Sequence, residues 1–267
     1  MFYKQLGGQM KYNYKSFITL AILILSFTTS IAQNNSKPVR ILVMDDVVSP
    51  SKVMEYEKAQ KAMNEFIVKN KMGINWQTYQ TDDYTYMYVV PFSTYTSLDS
   101  LFKLWDEKMM AVNQDDLKKH FGAFAGTIDQ TNSQIVKKNE ANSYTPKNPY
   151  LKSTEAKFLH WDFFEVIPGR EQEAWALMAE YKKLCEKLNL NVPYNAWSVN
   201  IGDNTSTIII TTPGKDDVDF YTQNKMSDDK IMKEPGSDAL YSKFISLMTK
   251  FRHFNGKPRP DLSIGKM

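Results

Sequence analysis

Trp76-Gln-Thr-Tyr79-Gln-Thr-Asp82-Asp83-Tyr84-Thr-Tyr86-Met87-Tyr88-Val-Val90-Pro91 reads as two strands joined by a tight turn, and a second passage has the same shape: Trp197-Ser-Val-Asn-Ile-Gly-Asp203-Asn204-Thr205, continuing through Thr212 to Pro213. Trp76 and Trp197 are 121 positions apart, and so are Asp82 and Asp203. Asp-Asp and Asp-Asn suit a turn between antiparallel strands because their short side chains bond to nearby backbone. Two landmarks at one spacing predict a chain built from two similar halves.

Working outward, each half opens on a β-rich run, Val39 to Val48 and Phe158 to Ile167, that stops at Pro50 or Pro168. Proline suits the first turn of a helix, so a helix is expected after each. In the second half Ala174, Leu177, Met178, Tyr181, Leu184, Cys185 and Leu188 form one helical stripe, and in the first half Tyr56, Ala59, Met63, Phe66 and Ile67 do the same. Beyond the strand pairs, Leu98, Leu101, Phe102, Trp105 and Met109 share a helix face. Leu117, Phe121, Phe124 and Ile128 predict another, and Leu240, Phe244, Leu247, Met248 and Phe251 a third. Pro-rich stretches, Thr145–Leu151 and Lys257–Leu262, are expected to close the halves as short edge strands.

Each half therefore reads β-α-β-β-α-(α)-β, the order of a ferredoxin-like split βαβ unit. The strands carry apolar residues on both faces, which is not the pattern of a sheet with one wet side. The expected fold is α+β: two tandem ferredoxin-like units, 33–151 and 152–267, with antiparallel sheets packed face to face as an intrachain α/β barrel and helices outside. This order, with Trp76/Trp197 and the Pro168-Gly169 step, resembles the dimeric α/β-barrel superfamily in tandem form, and within it NIPSNAP-type and related stress-responsive barrel domains. That resemblance implies haem-processing monooxygenases, small-ligand binders or members without an assigned activity, so it selects no single function.

The N-terminus reads as an export signal. Lys11 and Lys15 precede an apolar run from Phe17 to Phe27, and Ser30-Ile-Ala32 offers small residues for cleavage. Residues 1–32 are expected to be a signal peptide, with Met10 opening a more usual signal than Met1 does. The run is shorter than a membrane span of ~20 residues, so no stable span is expected after cleavage. The ending in Ala-Gln resembles exported proteins of Bacteroidota, which implies secretion across the inner membrane to the periplasm or beyond. The chain holds 33 Lys and Arg against 30 Asp and Glu, and Lys4, Lys11 and Lys15 account for the whole excess. A neutral remainder has no general attraction for phosphate backbones, so nucleic acid is not an expected partner.

His120, His160 and His253 stand in no zinc-binding spacing, and no metal site is expected. His120 reads as a solvated helix residue and His253 as a cation near the end of the last helix. His160 lies two residues from Asp162 on a strand, so both point to one face. That pair is the candidate acid–base group, and equally reads as a satisfied polar pair; Met44 and Asp46 are taken as its counterparts. Gly122-Ala-Phe-Ala-Gly126 reads as small-residue helix spacing, and lone Cys185 as a buried thiol. Tyr84, Tyr86 and Tyr88 form an aromatic stripe, and with Trp76, Trp197, His160 and Asp162 they are the expected lining of a cavity between the sheets. Three functions remain open: binding of a small apolar or aromatic ligand there; a monooxygenase- or isomerase-type enzyme using His160 and Asp162; or a partner-binding module forming a homodimer through an exposed strand edge. No motif names a cofactor.

Overall fold

The computed structural model describes residues 39–265, so the expected signal segment lies outside the described residues. Eight strands form the sheet: β1 (Arg40–Val48), β2 (Gln77–Thr81), β3 (Thr85–Phe92), β4 (Ile128–Lys138), β5 (Phe158–Val166), β6 (Asn195–Ile201), β7 (Thr207–Gly214) and β8 (Met248–Pro258). Among the described residues six α-helices accompany them: α1 (Val53–Lys69), α2 (Tyr95–Ala111), α3 (Gln114–Gly122), α4 (Glu171–Lys187), α5 (Asp217–Ile231) and α6 (Ser237–Ile245). The order β-α-β-β-α-α-β thus occurs twice. β1 and β5, α1 and α4, and β2 and β6 each begin 118 positions apart.

The strands close into one antiparallel barrel in the order β1-β3-β2-β8-β5-β7-β6-β4. The expected sheets meet by their inner faces and are also hydrogen-bonded edge to edge, Tyr79–Thr81 to Gly256–Pro258 and Ile135–Lys138 to Trp197–Ile201. The closed barrel leaves no free strand edge among these eight, so the edge-to-edge homodimer expected from an open sheet has no edge to use. Among the described residues no helix is long and apolar enough to cross a membrane.

Three apolar clusters hold the fold. One lies between the first half's sheet and its helices, around Tyr56, Phe66, Trp76, Tyr88 and Leu98. A second does the same in the other half, around Leu177, Met178, Ile208 and Leu247. The third fills the barrel lumen with Val43, Met87, Val136, Trp161, Val199 and Ile209, packed against Tyr79, Phe163, Trp197, Phe254 and others. The predicted stripes on α1 and α4 face the first two clusters: Tyr56, Ala59, Met63, Phe66 and Ile67 are buried, as are Ala174, Leu177, Met178 and Cys185.

Several expectations shift. The predicted helix through Ile128 ends at Gly122, and the small-residue run after it turns at Gly126 with φ +71° rather than continuing a helix. The last helix ends at Ile245, and His253 lies on β8. The closing strands are β4, ahead of the first Pro-rich segment, and β8, which takes in Lys257 and Pro258 of the second. The residues flanking those segments act as straps: Tyr144 bridges Tyr194, and Ile264 bridges Trp76. Trp76 and Tyr194 each sit one residue before their strand, so Tyr194 is the positional partner of Trp76, and Tyr79 that of Trp197. His120 is half-buried against the Phe66 ring, with centroids 4.7 Å apart, rather than solvated.

Candidate functional site

The pleat of β5 divides its side chains. Leu159, Trp161 and Phe163 point into the lumen, so His160, Asp162 and Phe164 point outward to the helix side. His160 is only 8 % exposed. Its Nε2 lies 3.0 Å from Asp162 Oδ1 and its Nδ1 2.7 Å from Asn255 Oδ1 on β8. Asn255 Nδ2 donates to the Tyr221 hydroxyl of α5 at 3.0 Å. Both ring nitrogens face oxygen acceptors, so the arrangement is satisfied by the imidazolium, in which both are donors. Burial opposes that charge, but hydrogen bonds to Asp162 and Asn255 and the charges of Asp162 and Asp82 outweigh it, and the His160 pKa is raised. With both nitrogens engaged, His160 offers no lone pair to a substrate proton or a metal.

Aromatic rings surround the pair. Phe220 stacks on His160 at 4.6 Å and His253 at 5.7 Å, both with interplanar angles of 26°. Phe251 stacks on Phe164 at 4.9 Å and is 49 % exposed, so the wall continues to the surface. Asp162 is partly exposed, and only its Oδ1 is hydrogen-bonded among the described residues. The arrangement is a carboxylate with one oxygen anchored by a buried imidazole of raised pKa and the other without a partner among the described residues, beside an apolar aromatic wall.

The other expected lining residues lie elsewhere. Trp76, Tyr86 and Tyr88 belong to the helix-facing core of the first half, where Trp76 Nε1 donates to the Leu262 carbonyl at 3.1 Å. Tyr84 is in the turn before β3, with φ +63°. Trp197 alone faces the lumen, where its Nε1 donates to Thr211 Oγ1 at 3.2 Å. The seven residues expected to share one cavity thus occupy four places, because the pleat puts Tyr86 and Tyr88 on the opposite side of the sheet from Trp197 and Tyr84 falls in the turn. The lumen they were to line is packed with apolar side chains. The supposed counterparts shift as well: by strand position Met44 matches Asp162, and Phe164 matches Asp46.

Phe220, Tyr221 and Asn255 complete the site and carry no local sequence signal, since they come from α5 and β8, about 60 and 95 positions downstream in an order only the barrel brings together. Cys185 is buried within the second cluster and its thiol is pushed up to about 12, chiefly by burial. We expect no labelling of native protein by a thiol-reactive disulfide reagent at pH 8, and one thiol per chain after unfolding; rapid native labelling would contradict this placement.

No protein-family model and no curated protein matches the chain. Among solved structures, one similar fold is a candidate monooxygenase from Fusobacterium nucleatum, with TM-score 0.50, 13 % identity, and coverage of 83 % of this chain and 92 % of that one. Another is an anthrone oxidase-like protein, with TM-score 0.55, 10 % identity, and coverage of 84 % and 92 %. At such identities the likeness establishes architecture alone, an α+β fold with a closed antiparallel eight-stranded barrel.

Proposed function

We propose that the protein is an enzyme of monooxygenase or isomerase type, in which Asp162 removes a proton from a flat aromatic substrate lying against Phe164 and Phe251. The observation that carries this reading is the anchored carboxylate itself: Asp162 Oδ1 held at 3.0 Å by His160, with its second oxygen unbonded among the described residues. The fold likeness to a candidate monooxygenase and an anthrone oxidase-like protein supports it. The packed lumen weighs against the alternative of a ligand held between the sheets. On this reading the two halves are tandem copies, 33–151 and 152–267, and the chain is exported after removal of 1–32.

The chemistry is general-base catalysis on an activated C–H. A methylene flanked by aromatic rings loses one proton to Asp162, and the carbanion delocalises into the rings. An isomerase returns the proton at another carbon. An oxygenase passes the electrons to dioxygen, so that the methylene and one dioxygen molecule give a ketone and one water, with two C–H bonds broken and four electrons taken up by oxygen. His160 is a positioning residue: it fixes the carboxylate and, through Asn255, ties it to Tyr221.

The test is oxygen consumption and product formation with anthrone as probe. Asp162→Asn is expected to lower kcat by about 10²–10⁴, with the fold intact by circular dichroism. His160→Gln should lower kcat less and remove the alkaline limb of the pH profile, because the raised His160 pKa sets where its charge is lost. Wild-type turnover in Asp162→Asn overturns the assignment, as does a wild-type protein inert to anthrone and to a panel of flat carbon acids.

A further inference from the structure

The rung partner of Asp162 on β8 is His253. Residues directly opposite in an antiparallel pair rise from the same face of the sheet, with Cβ atoms about 5 Å apart. Helices close over β5 on either side of this rung: Phe220 of α5 stacks on His160, and Phe244 of α6 packs edge-on against Phe164 at 5.1 Å. Between them Asp162 is partly exposed, and across the rung His253 is exposed.

Of the three histidines, His160 has both ring nitrogens engaged by Asp162 and Asn255, and His120 lies against Phe66. The His253 ring is held by its flanks, 5.7 Å from the His160 ring and 5.7 Å from Phe251. Its nitrogens have no hydrogen-bond partner among the described residues. Neutral imidazole carries one N–H and imidazolium two, so His253 presents a free donor in either charge state. A base with an unbonded oxygen and a donor with an unbonded N–H thus stand one rung apart, beside the Phe164 and Phe251 rings.

We propose that His253 is a second catalytic residue, which donates its N–H to the oxygen where charge develops, and that the substrate is therefore a flat ketone whose acidic C–H is conjugated to its carbonyl. This rests on the assignment of Asp162 as the base. As the proton passes from carbon to Asp162, the C–H electron pair forms a new C=C bond and the C=O π pair moves onto oxygen. The product of the step is an enolate and a protonated Asp162, and no oxidant enters it. The enolate oxygen accepts from His253 more strongly than the carbonyl oxygen does, so the donor favours the transition state over the bound ketone. A flat hydrocarbon meets the same base and the same rings but offers His253 no acceptor.

The test sets His253→Phe, which keeps a ring between His160 and Phe251 but removes the donor, against His253→Gln, which keeps an N–H but removes the ring. Binding is followed by NMR titration with 1-indanone and indane, which share a flat shape and differ in the carbonyl. Wild-type protein should bind 1-indanone about fivefold more tightly, the effect of one hydrogen bond, and 1-indanone should move the His253 ring signal, identified by its loss in His253→Phe. That preference should fall below about twofold in His253→Phe and stay above about threefold in His253→Gln. With anthrone, His253→Phe should lower kcat by about 10–10²-fold, less than a buried oxyanion donor is worth, and change KM by less than about threefold. Equal binding of the two probes by wild-type protein overturns the proposal, as does an unchanged preference in His253→Phe, or a Phe variant that outperforms the Gln variant, which is the order a packing role gives. The binding preference needs no turnover. Wild-type activity in Asp162→Asn therefore overturns the base, while the donor is decided by its own measurement.

Discussion

Replacing Arg259 with methionine is expected to lower the unfolding free energy by about 2–4 kcal/mol at pH 7. Arg259 follows β8, at the end of the second half, but all its partners outside its own turn belong to the first. Its guanidinium grips Glu57 of α1 with both terminal nitrogens, donates to Gln80 Oε1 at 2.8 Å, and lies 5.9 Å from the Tyr86 ring centroid. It also holds Asp261 through two contacts, of 2.9 and 2.8 Å. The Arg259 side chain is 12 % exposed, against 23 % for Glu57 and 42 % for Asp261. Removing the cation leaves two neighbouring carboxylates without it, one of them largely desolvated. Breaking a buried pair costs about 3–5 kcal/mol, and the exposure of Asp261 brings the expectation below the top of that range. The strap beyond Arg259 adds to the loss, since the Leu262 carbonyl accepts from Asn64, Trp76 and Thr78 together.

The pH dependence has a definite sign. The Arg259 hydrogen bonds hold both Glu57 and Asp261 below the usual carboxylate range. Groups with lowered folded-state pKa stabilise fully above their unfolded values, near 4, and lose that contribution as pH falls through the folded values. The wild-type protein should therefore lose stability on acidification below about pH 4, and Arg259→Met should lose much less. Urea unfolding at pH 7 and pH 3 measures both; a change under about 1 kcal/mol at pH 7 would show that the pair is no better than a surface bridge.

The contrast between what the sequence discloses and what it hides has a physical cause. α1 and α4 were legible because each buries one stripe against a sheet, which imposes a 3.6-residue period. β1 and β5 were legible because both faces are largely apolar. β4 and β8 were not: Ile-Asp-Gln-Thr-Asn-Ser-Gln and Met-Thr-Lys-Phe-Arg-His-Phe are mostly polar on both faces, with Phe251 the aromatic exception on the outer face of β8. Ile128 and Phe251 also continue the spacing of the helices before them, so the pattern ran across the turn at Gly126 and past Leu247. The spacing of 121 was misleading for a similar reason. The β2–β3 turn has three residues and the β6–β7 turn five, so matching Asp82 to Asp203 slides the strands past their true register.

The candidate site was legible to the extent of one period-2 rule: His160 and Asp162 share a face and bond. What they face depends on which side of the sheet is the lumen, and residues apolar on both faces leave that undecided. The same ambiguity sent Tyr86 and Tyr88 to the wrong side. The acceptors that engage both His160 nitrogens come partly from β8, the strand the pattern concealed.

Asp45→Asn is expected to stabilise the protein by about 2–4 kcal/mol at pH 8.5 and to leave it unchanged near pH 4. Ile41 and Val43 face the lumen, so Asp45 does too, level with Met87 and Asn132. Its Oδ1 is buried and has no hydrogen-bond partner among the described residues, and its pKa is pushed up to about 7, first by burial and then by the charges of Asp46 and Asp83. For an acid whose folded pKa lies above its unfolded one, the native state binds the proton more tightly. Stability then falls as pH rises from about 4 to about 7, and the full cost applies above that. Each unit is worth about 1.4 kcal/mol, and part of the group remains solvated, which trims the total. His160 contributes with the same sign over part of this range, because its raised pKa gives stability that is lost on deprotonation. The wild-type curve alone therefore does not isolate Asp45, whereas the difference between wild type and Asp45→Asn does, since His160 cancels. That difference should open between pH 4 and 7 and stay flat beyond; a difference independent of pH, or a less stable variant at pH 8.5, would mean that Asp45 is paired or solvated. Asp45→Leu supplies the control in kind. The matching position of β5 is Phe163, an apolar side chain packed on Phe254 at 5.7 Å in the same lumen, so the barrel already accommodates at that rung what a charge there opposes.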